Sequence, residues 1–149
     1  MAILITNRQT IARLDIPSLR RSVRRILKHL GRVKDEISIL LVEDREIRDI
    51  SRTYLKRDRP TNVIAFPMLE GAFRNLHPQV LGDVVISIET AARDAEKEGM
   101  ALEDEMLFLL IHGILHLLGY DHEGSAVRAR RMGQKQRELF HALKNDLIK

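Results

Sequence analysis

Residues 102–122 read LEDEMLFLLIHGILHLLGYDH, and this stretch decides the fold. After three acidic residues near its start, the segment 102–118 is apolar on almost every side of a helix. Such a helix is normally buried on most of its faces, inside a packed domain. Two histidines within it are unusual, because histidine is buried less often than leucine or isoleucine.

These two histidines, His112 and His116, lie four residues apart. On a helix that rises about 1.5 Å per residue they stack one turn apart on one face, where both imidazoles can reach one ion at about 2.0–2.1 Å. Gly119 suits the left-handed conformation that ends a helix, so the chain can turn back and bring His122 to the same ion. The motif H-x3-H-x2-G-x2-H therefore predicts a metal site with the ligands His112, His116 and His122.

Three protein ligands rather than four leave room for a water molecule on the metal. Zinc lowers the pKa of such a water to about 7 and so provides hydroxide at neutral pH, which favours a hydrolytic site. Two neighbouring carboxylates, Asp121 and Glu123, leave alternatives open. Either can occupy the fourth position and make the zinc structural, or it can orient an imidazole or the water without binding the metal.

The same histidine spacing occurs in the metzincin proteases, whose motif is H-E-x2-H-x2-G-x2-H. Gly113 stands where those enzymes carry the glutamate that acts as general base. The ligands of a zinc peptidase are present while its base is missing, so a peptidase activity is disfavoured.

The overall composition narrows the ligands and the partners. The 149 residues include no cysteine, which leaves histidine and carboxylate as the side-chain ligands to consider. The other histidines, His29, His77 and His141, lie at no ligand spacing and are predicted to face solvent. A formal charge of +4 and a pI near 9.7 favour a polyanionic partner such as nucleic acid.

The distribution of apolar and linker residues predicts the domain organisation and the location. No apolar run approaches the roughly 20 residues that a membrane span requires, and the start MAILITNRQT lacks the layout of a signal peptide. We therefore expect a cytoplasmic protein that contacts no membrane. No repeat, low-complexity tract or linker divides the sequence, so we expect one domain over residues 1–149.

Short apolar runs and turn residues predict the strands. The strands cover residues 2–6, 37–42, 63–66 and 80–87, and the second is too short and too continuously apolar for anything but a buried strand. Residues 69–79 are predicted to form a mobile loop before the last strand. With helices between and after these strands, the sequence predicts a small sheet packed with helices in an α+β domain.

Capping residues predict where the helices begin and end. Asp44 is expected to cap a helix with Ile47, Ile50 and Tyr54 on its apolar side, which Pro60 stops soon after Lys56. The first helix is expected to run from Asp15 and Pro17 to Gly31, and a later helix over 88–98 to be closed by Gly99. Ser125 is expected to cap a final amphipathic helix, whose inward residues are Met132, Leu139, Phe140, Leu143 and Leu147.

Three segments together resemble the YbeY family of metal-dependent endoribonucleases. They are LLIHGILHLLGYDH at 109–122, YLKRDRPTNVIAFP at 54–67 and LGDVVIS at 81–87, and they occur in the family's order and spacing. The resemblance implies a mixed four-stranded sheet with helices around a cleft, with zinc held by His112, His116 and His122. It also implies hydrolysis of single-stranded RNA, in maturation of the 3′ end of small-subunit ribosomal RNA and in ribosome quality control. The implied partners are ribosomal RNA and ribosomal proteins, and no DNA is expected.

One position departs from the family pattern. The tyrosine that matches Tyr54 is usually followed by an arginine thought to serve the active site, whereas this chain has Leu55. We expect Arg52, one turn back on the same helix face, or Arg59, in the turn before Pro60, to contact the phosphate instead. Asp121 is expected to orient an imidazole or the water.

Basic residues elsewhere predict how RNA is held. Arg45, Arg48, Arg52 and Lys56 fall three or four residues apart and form one basic stripe that fits a phosphate backbone, on a helix expected to lead toward the cleft. Two further clusters fit RNA as well as they fit a solvated helix face. They are Arg20, Arg21, Arg24, Arg25 and Lys28, and Arg128, Arg130, Arg131, Lys135 and Arg137.

Three functions compete at this point. The first is a zinc endoribonuclease acting on single-stranded RNA. The second is a zinc peptidase-like hydrolase, which the glycine at position 113 disfavours. The third is a non-enzymatic ribosome- or RNA-binding module in which the zinc is structural.

Overall fold

One sheet of four strands organises the residues that the computed structural model describes, which are 3–56, 61–68, 80–120 and 125–148. The strands are β1 (Ile3–Asn7), β2 (Glu36–Val42), β3 (Val63–Pro67) and β4 (Val80–Ser87), in the spatial order β1-β2-β4-β3. The pairs β1·β2 and β2·β4 are parallel, whereas β3 pairs antiparallel with β4 at the edge. This arrangement confirms the predicted mixed sheet of an α+β fold.

Helices cover both faces of the sheet because its strands are apolar on both sides. They are α1 (Ile16–His29), α2 (Asp44–Leu55), α3 (Ile88–Glu98), α4 (Leu102–Leu117) and α5 (Ala126–Ile148). The main core joins one face of the sheet to α1, α4 and α5. A smaller cluster of Val42, Ile47, Ile64 and Val85 packs α2 on the opposite face. Neighbouring residues of β4, Val84 and Val85, point into the two different cores.

Most predicted helix limits are confirmed by their caps. The Asp15 carboxylate accepts a hydrogen bond from Ser18 N at 3.1 Å, and the Ser125 hydroxyl accepts one from Arg128 N at 3.1 Å. Gly99 ends α3 with a φ of 68°, a left-handed conformation that glycine adopts without strain. These caps satisfy backbone groups that a helix end would otherwise leave unpaired.

The prediction that Asp44 caps α2 is wrong. Glu43 occupies the capping position and makes no side-chain cap bond, while Asp44 is the first residue of the helix. Its carboxylate instead accepts hydrogen bonds from Ser87 Oγ at 2.7 Å, from Thr90 Oγ1, and from Arg93 Nη2 at 2.7 Å. Burial alone would raise the pKa of Asp44, but these three donors outweigh it and lower the pKa. The side chain thus ties the start of α2 to the start of α3.

The far end of α2 is partly as expected. The helix stops at Leu55, and Lys56 follows in a left-handed conformation with a φ of 60°. Tyr54 does not lie in the core: it is 69% exposed, and its ring meets Phe66 in a T-shaped contact with centroids 5.7 Å apart. It sits in the last turn, beyond the apolar residues that α2 buries. Pro60, the loop 69–79 and the side chain of Leu147 lie outside the described residues.

None of the described helices combines the length and the apolar character needed to cross a bilayer.

Candidate metal centre and cleft

Helix α4 carries the first two predicted ligands and is held against β3 and β4. Its fully buried side chains include Leu110, Ile111, Ile114 and Leu115. Gly113 faces the sheet, where a Cβ would lie 2.7 Å from Val84 Cγ1 and 3.5 Å from Val63 Cγ2. Because Gly113 has no side chain, α4 can lie close to the sheet. His112 and His116, on the same helix, stay half-exposed.

The rings of His112 and His116 lie side by side, with centroids 4.8 Å apart and planes inclined by 69°. A ligating nitrogen lies about 2.0–2.1 Å from zinc, so each ring centre would lie roughly 3 Å from a shared ion. Two centres at that distance from one ion fit a separation of 4.8 Å. The two described histidines therefore fit the metal that the motif predicts.

The chain turns back immediately after α4, as the position of Gly119 predicted. Gly119 has a φ of 97°, its N–H donates to the carbonyl of His116 at 3.0 Å, and Tyr120 N donates to the carbonyl of Leu115 at 3.0 Å. These two bonds form the paired closure typical of a helix that ends on a left-handed glycine. The turn directs the chain toward residues 121–124, which include His122 and Asp121 and lie outside the described residues.

Among residues 3–56, 61–68, 80–120 and 125–148, no group of three or more histidine, cysteine or carboxylate side chains lies close enough together to hold a metal ion. Two of the three predicted ligands belong to these ranges, and the third does not. The assignment of His122 therefore stays a prediction.

A buried glutamine from α5 contacts the first ligand. Gln136 is 6% exposed, and its Oε1 lies 3.3 Å from His112 Nδ1. Its amide Nε2 donates a hydrogen bond to the backbone carbonyl of Phe108 at 3.3 Å. Gln136 could not be predicted from the sequence, because nothing in the pattern of α5 separates it from the neighbouring polar residues.

An open cleft lies where α4 ends and α5 begins. It has a volume of about 450 Å³, and its described lining consists of Leu118, Gly119, Tyr120, Arg128 and Arg131. The cleft thus lies next to the turn between the second and third predicted ligands. Arg128 and Arg131 are three residues apart on α5, and both line this cleft. An anionic group in the cleft would meet positive charge.

The basic stripe on α2 is exposed, as expected, but α2 and α4 cover opposite faces of the sheet. Arg52 forms an ion pair with Asp49 at 3.0 Å and does not belong to the described lining of the cleft. Lys56 lies beyond the helix, in its left-handed cap. Arg59, the other predicted phosphate contact, lies outside the described residues.

Comparisons with known proteins agree with the fold and with the family resemblance of the sequence. The family model described as "Endoribonuclease YbeY" matches residues 4–144. The curated endoribonuclease YbeY of Geobacter metallireducens is 48% identical over 147 residues, covering 98% of each chain. That of Aquifex aeolicus is 43% identical over 124 residues, covering 82% of this chain and 74% of its own. The solution structure of TM1509 from Thermotoga maritima matches with a TM-score of 0.69 at 26% identity, covering 97% of this chain and 91% of that one.

Proposed function

The chain belongs to the YbeY family of endoribonucleases, and on that premise we propose that it hydrolyses phosphodiester bonds of single-stranded RNA at one zinc ion. The ion would be held by His112, His116 and His122. The observation that carries this proposal is the pair of half-exposed imidazoles on α4, 4.8 Å apart and followed by the turn at Gly119.

The chemistry divides between the metal and the chain. When bound, zinc would supply Lewis acidity and a hydrolytic nucleophile at neutral pH. His112 and His116 project from a helix whose neighbouring side chains are fully buried, so packing fixes the backbone that carries both imidazoles. Asp121 would orient an imidazole or the attacking water through a hydrogen bond.

Positive side chains would bind the RNA backbone and compensate the charge that develops at phosphorus. The cleft beside the ligand turn offers Arg128 and Arg131. Arg52 or Arg59 would supply the contact that the family arginine makes at the position of Leu55. The stripe of α2, on the opposite face of the sheet from α4, would bind a separate part of the RNA backbone.

The family name and the basic charge of the protein support RNA as the substrate class. We propose ribosomal RNA as the physiological substrate, with a role in maturation of its small-subunit 3′ end and in ribosome quality control. Ribosomal proteins would then be partners, and the cytoplasm the site of action.

Labelled single-stranded RNA and casein, each incubated with and without a chelator, test the proposal. We expect cleavage of the RNA alone and loss of that cleavage in chelator. Cleavage of casein would instead indicate a peptidase. RNA binding without cleavage by metal-loaded protein would indicate a binding module with structural zinc.

A further inference from the structure

We propose that Gln136 is a positioning residue that accepts a hydrogen bond from His112 Nδ1 and so keeps a proton on that nitrogen. The lone pair of Nε2 is then presented to the metal. This inference rests on the proposed metal site, and it assigns to α5 a part in metal binding beyond the three ligands.

The orientation of the Gln136 amide follows from its other partner. The carbonyl oxygen of Phe108 can only accept a hydrogen bond, so the group that lies 3.3 Å from it must be the amide nitrogen. The amide oxygen consequently faces His112, with Oε1 3.3 Å from Nδ1. That oxygen can only accept, so the imidazole must be the donor.

A neutral imidazole has one N–H, and its other nitrogen carries the lone pair that binds a metal. With the proton on Nδ1, the lone pair of His112 is on Nε2. Ligating histidines commonly donate their second nitrogen to an oxygen in this way, which fixes the tautomer and the ring orientation. Gln136 supplies such an oxygen without adding a charge to the site.

Burial makes the contact obligatory rather than incidental. Gln136 is 6% exposed and lies on the side of α5 that buries Met132, Leu139 and Leu143. A buried amide that loses its hydrogen-bond partner is still removed from water, and this uncompensated desolvation destabilises the folded state by about 1–3 kcal/mol in general. About one helical turn away, the edge-to-face contact of Phe108 with Phe140, 5.6 Å between centroids, also joins α4 and α5. Turning the amide away from His112 and Phe108 would leave its polar atoms without these partners inside the protein.

The experiment compares three variants for metal affinity and for the tautomer of His112. Gln136→Met removes the amide at nearly constant volume, whereas Gln136→Glu keeps an oxygen acceptor. Gln134→Met is the matched control, because Gln134 is exposed on the same helix. Zinc affinity is measured by competition with a chromophoric chelator. Nitrogen-15 NMR of the metal-free protein at about pH 8, where an ordinary histidine is neutral, reports which ring nitrogen carries the proton.

We expect the Nδ1–H tautomer of His112 in the wild type and in Gln134→Met, and its loss in Gln136→Met. Zinc affinity should fall about 10- to 100-fold in Gln136→Met and recover to within a few-fold of wild type in Gln136→Glu. An Nε2–H tautomer in the metal-free wild type would overturn the inference, even if Gln136→Met fails to fold. Wild-type zinc affinity in a folded Gln136→Met variant would overturn it as well.

These outcomes separate the inference from the proposed function. A wild-type protein that shows the Nδ1–H tautomer but binds no zinc would contradict the metal site and hence the proposed function. A wild-type protein that binds zinc as tightly as its Gln136→Met variant would contradict only the role of Gln136.

Discussion

Gly113 on α4 and Val84 on β4 are in such close contact that a Cβ on Gly113 would lie 2.7 Å from Val84 Cγ1. This is the position at which metzincin proteases carry their catalytic glutamate. In this fold the position faces the sheet, so a glutamate side chain could not be accommodated without moving α4. The close packing gives a physical reason for the glycine and argues against a peptidase mechanism.

Gly113→Ala should therefore destabilise the protein although alanine favours helices. The added methyl group would overpack the contact with Val84 and cost about 1–3 kcal/mol, partly offset by a helix preference of about 1 kcal/mol. Urea unfolding at constant temperature measures the net loss. In a Val84→Ala background the same substitution should cost less, because the colliding methyl groups are gone. Equal costs in the two backgrounds would contradict the close contact.

Glu105 on α4 should make stability depend on pH. It is 3% exposed, and burial, followed by the charges of Glu98 and Asp94 and a hydrogen bond with Glu98, raises its pKa from 4.5 to about 7. The folded state therefore holds this proton more tightly than the unfolded state. The resulting stabilisation is complete below about pH 4.5 and is lost as the pH rises through about 7.

Glu105→Gln removes this titration. Between about pH 5 and pH 8 the wild type should lose up to roughly 3 kcal/mol more unfolding free energy than the variant. Glu103→Gln, an exposed change in the same turn, is the control and should retain the wild-type pH dependence. Parallel stability profiles for wild type and Glu105→Gln would show that Glu105 titrates normally.

Local sequence signals were sufficient for much of the fold. The strand runs, the caps at Asp15 and Ser125 and the glycines at 99 and 119 act within a few residues, so their effects could be predicted. Asp44 was misassigned because its partners Ser87, Thr90 and Arg93 lie 43 to 49 positions away.

The candidate site, like the fold, could be predicted only where its residues lie close together in the sequence. The spacing of His112 and His116 is local to one helix, and their juxtaposition is confirmed. The contact of Gln136 with His112 joins residues 24 positions apart, so no local pattern could predict it. Arg128 and Arg131 differ from the neighbouring basic residues only because they line the cleft, which the sequence does not show. Residues 59, 121 and 122 lie outside the described residues, so their roles stay predictions.

RNA binding should weaken steeply as salt increases, because basic side chains that contact phosphates release bound counterions. An affinity unchanged between about 50 and 200 mM salt would exclude this mode of binding. If Arg128 and Arg131 each contact a phosphate, replacing both with alanine should make binding less sensitive to salt. The plot of log affinity against log salt should then be shallower by roughly 1.4. The matched control replaces Arg21 and Arg24, which are exposed at the same spacing on α1. A slope that falls equally in both double variants would contradict a specific role for the cleft.

The arginine missing at Leu55 should be replaced functionally by Arg52 or Arg59. Single-turnover cleavage at saturating RNA isolates the chemical step, so loss of a transition-state contact appears there. Arg52→Ala or Arg59→Ala should slow that step at least tenfold, about 1.4 kcal/mol, whereas Lys56→Ala should not. If neither arginine variant is slower while the metal stays bound, no such compensation exists.

RNA cleavage should depend on a metal held by the histidines of α4 and the following turn. The rate of cleavage of single-stranded RNA is therefore measured as a function of bound zinc, in the wild type and in His116→Ala, with His29→Ala as control. We expect the wild-type rate to rise to saturation at one zinc per chain, to disappear in chelator and to return when zinc is added back. His116→Ala should neither retain zinc nor cleave RNA. Unchanged cleavage by metal-free protein, or stoichiometric zinc in dialysed His116→Ala, would contradict this dependence.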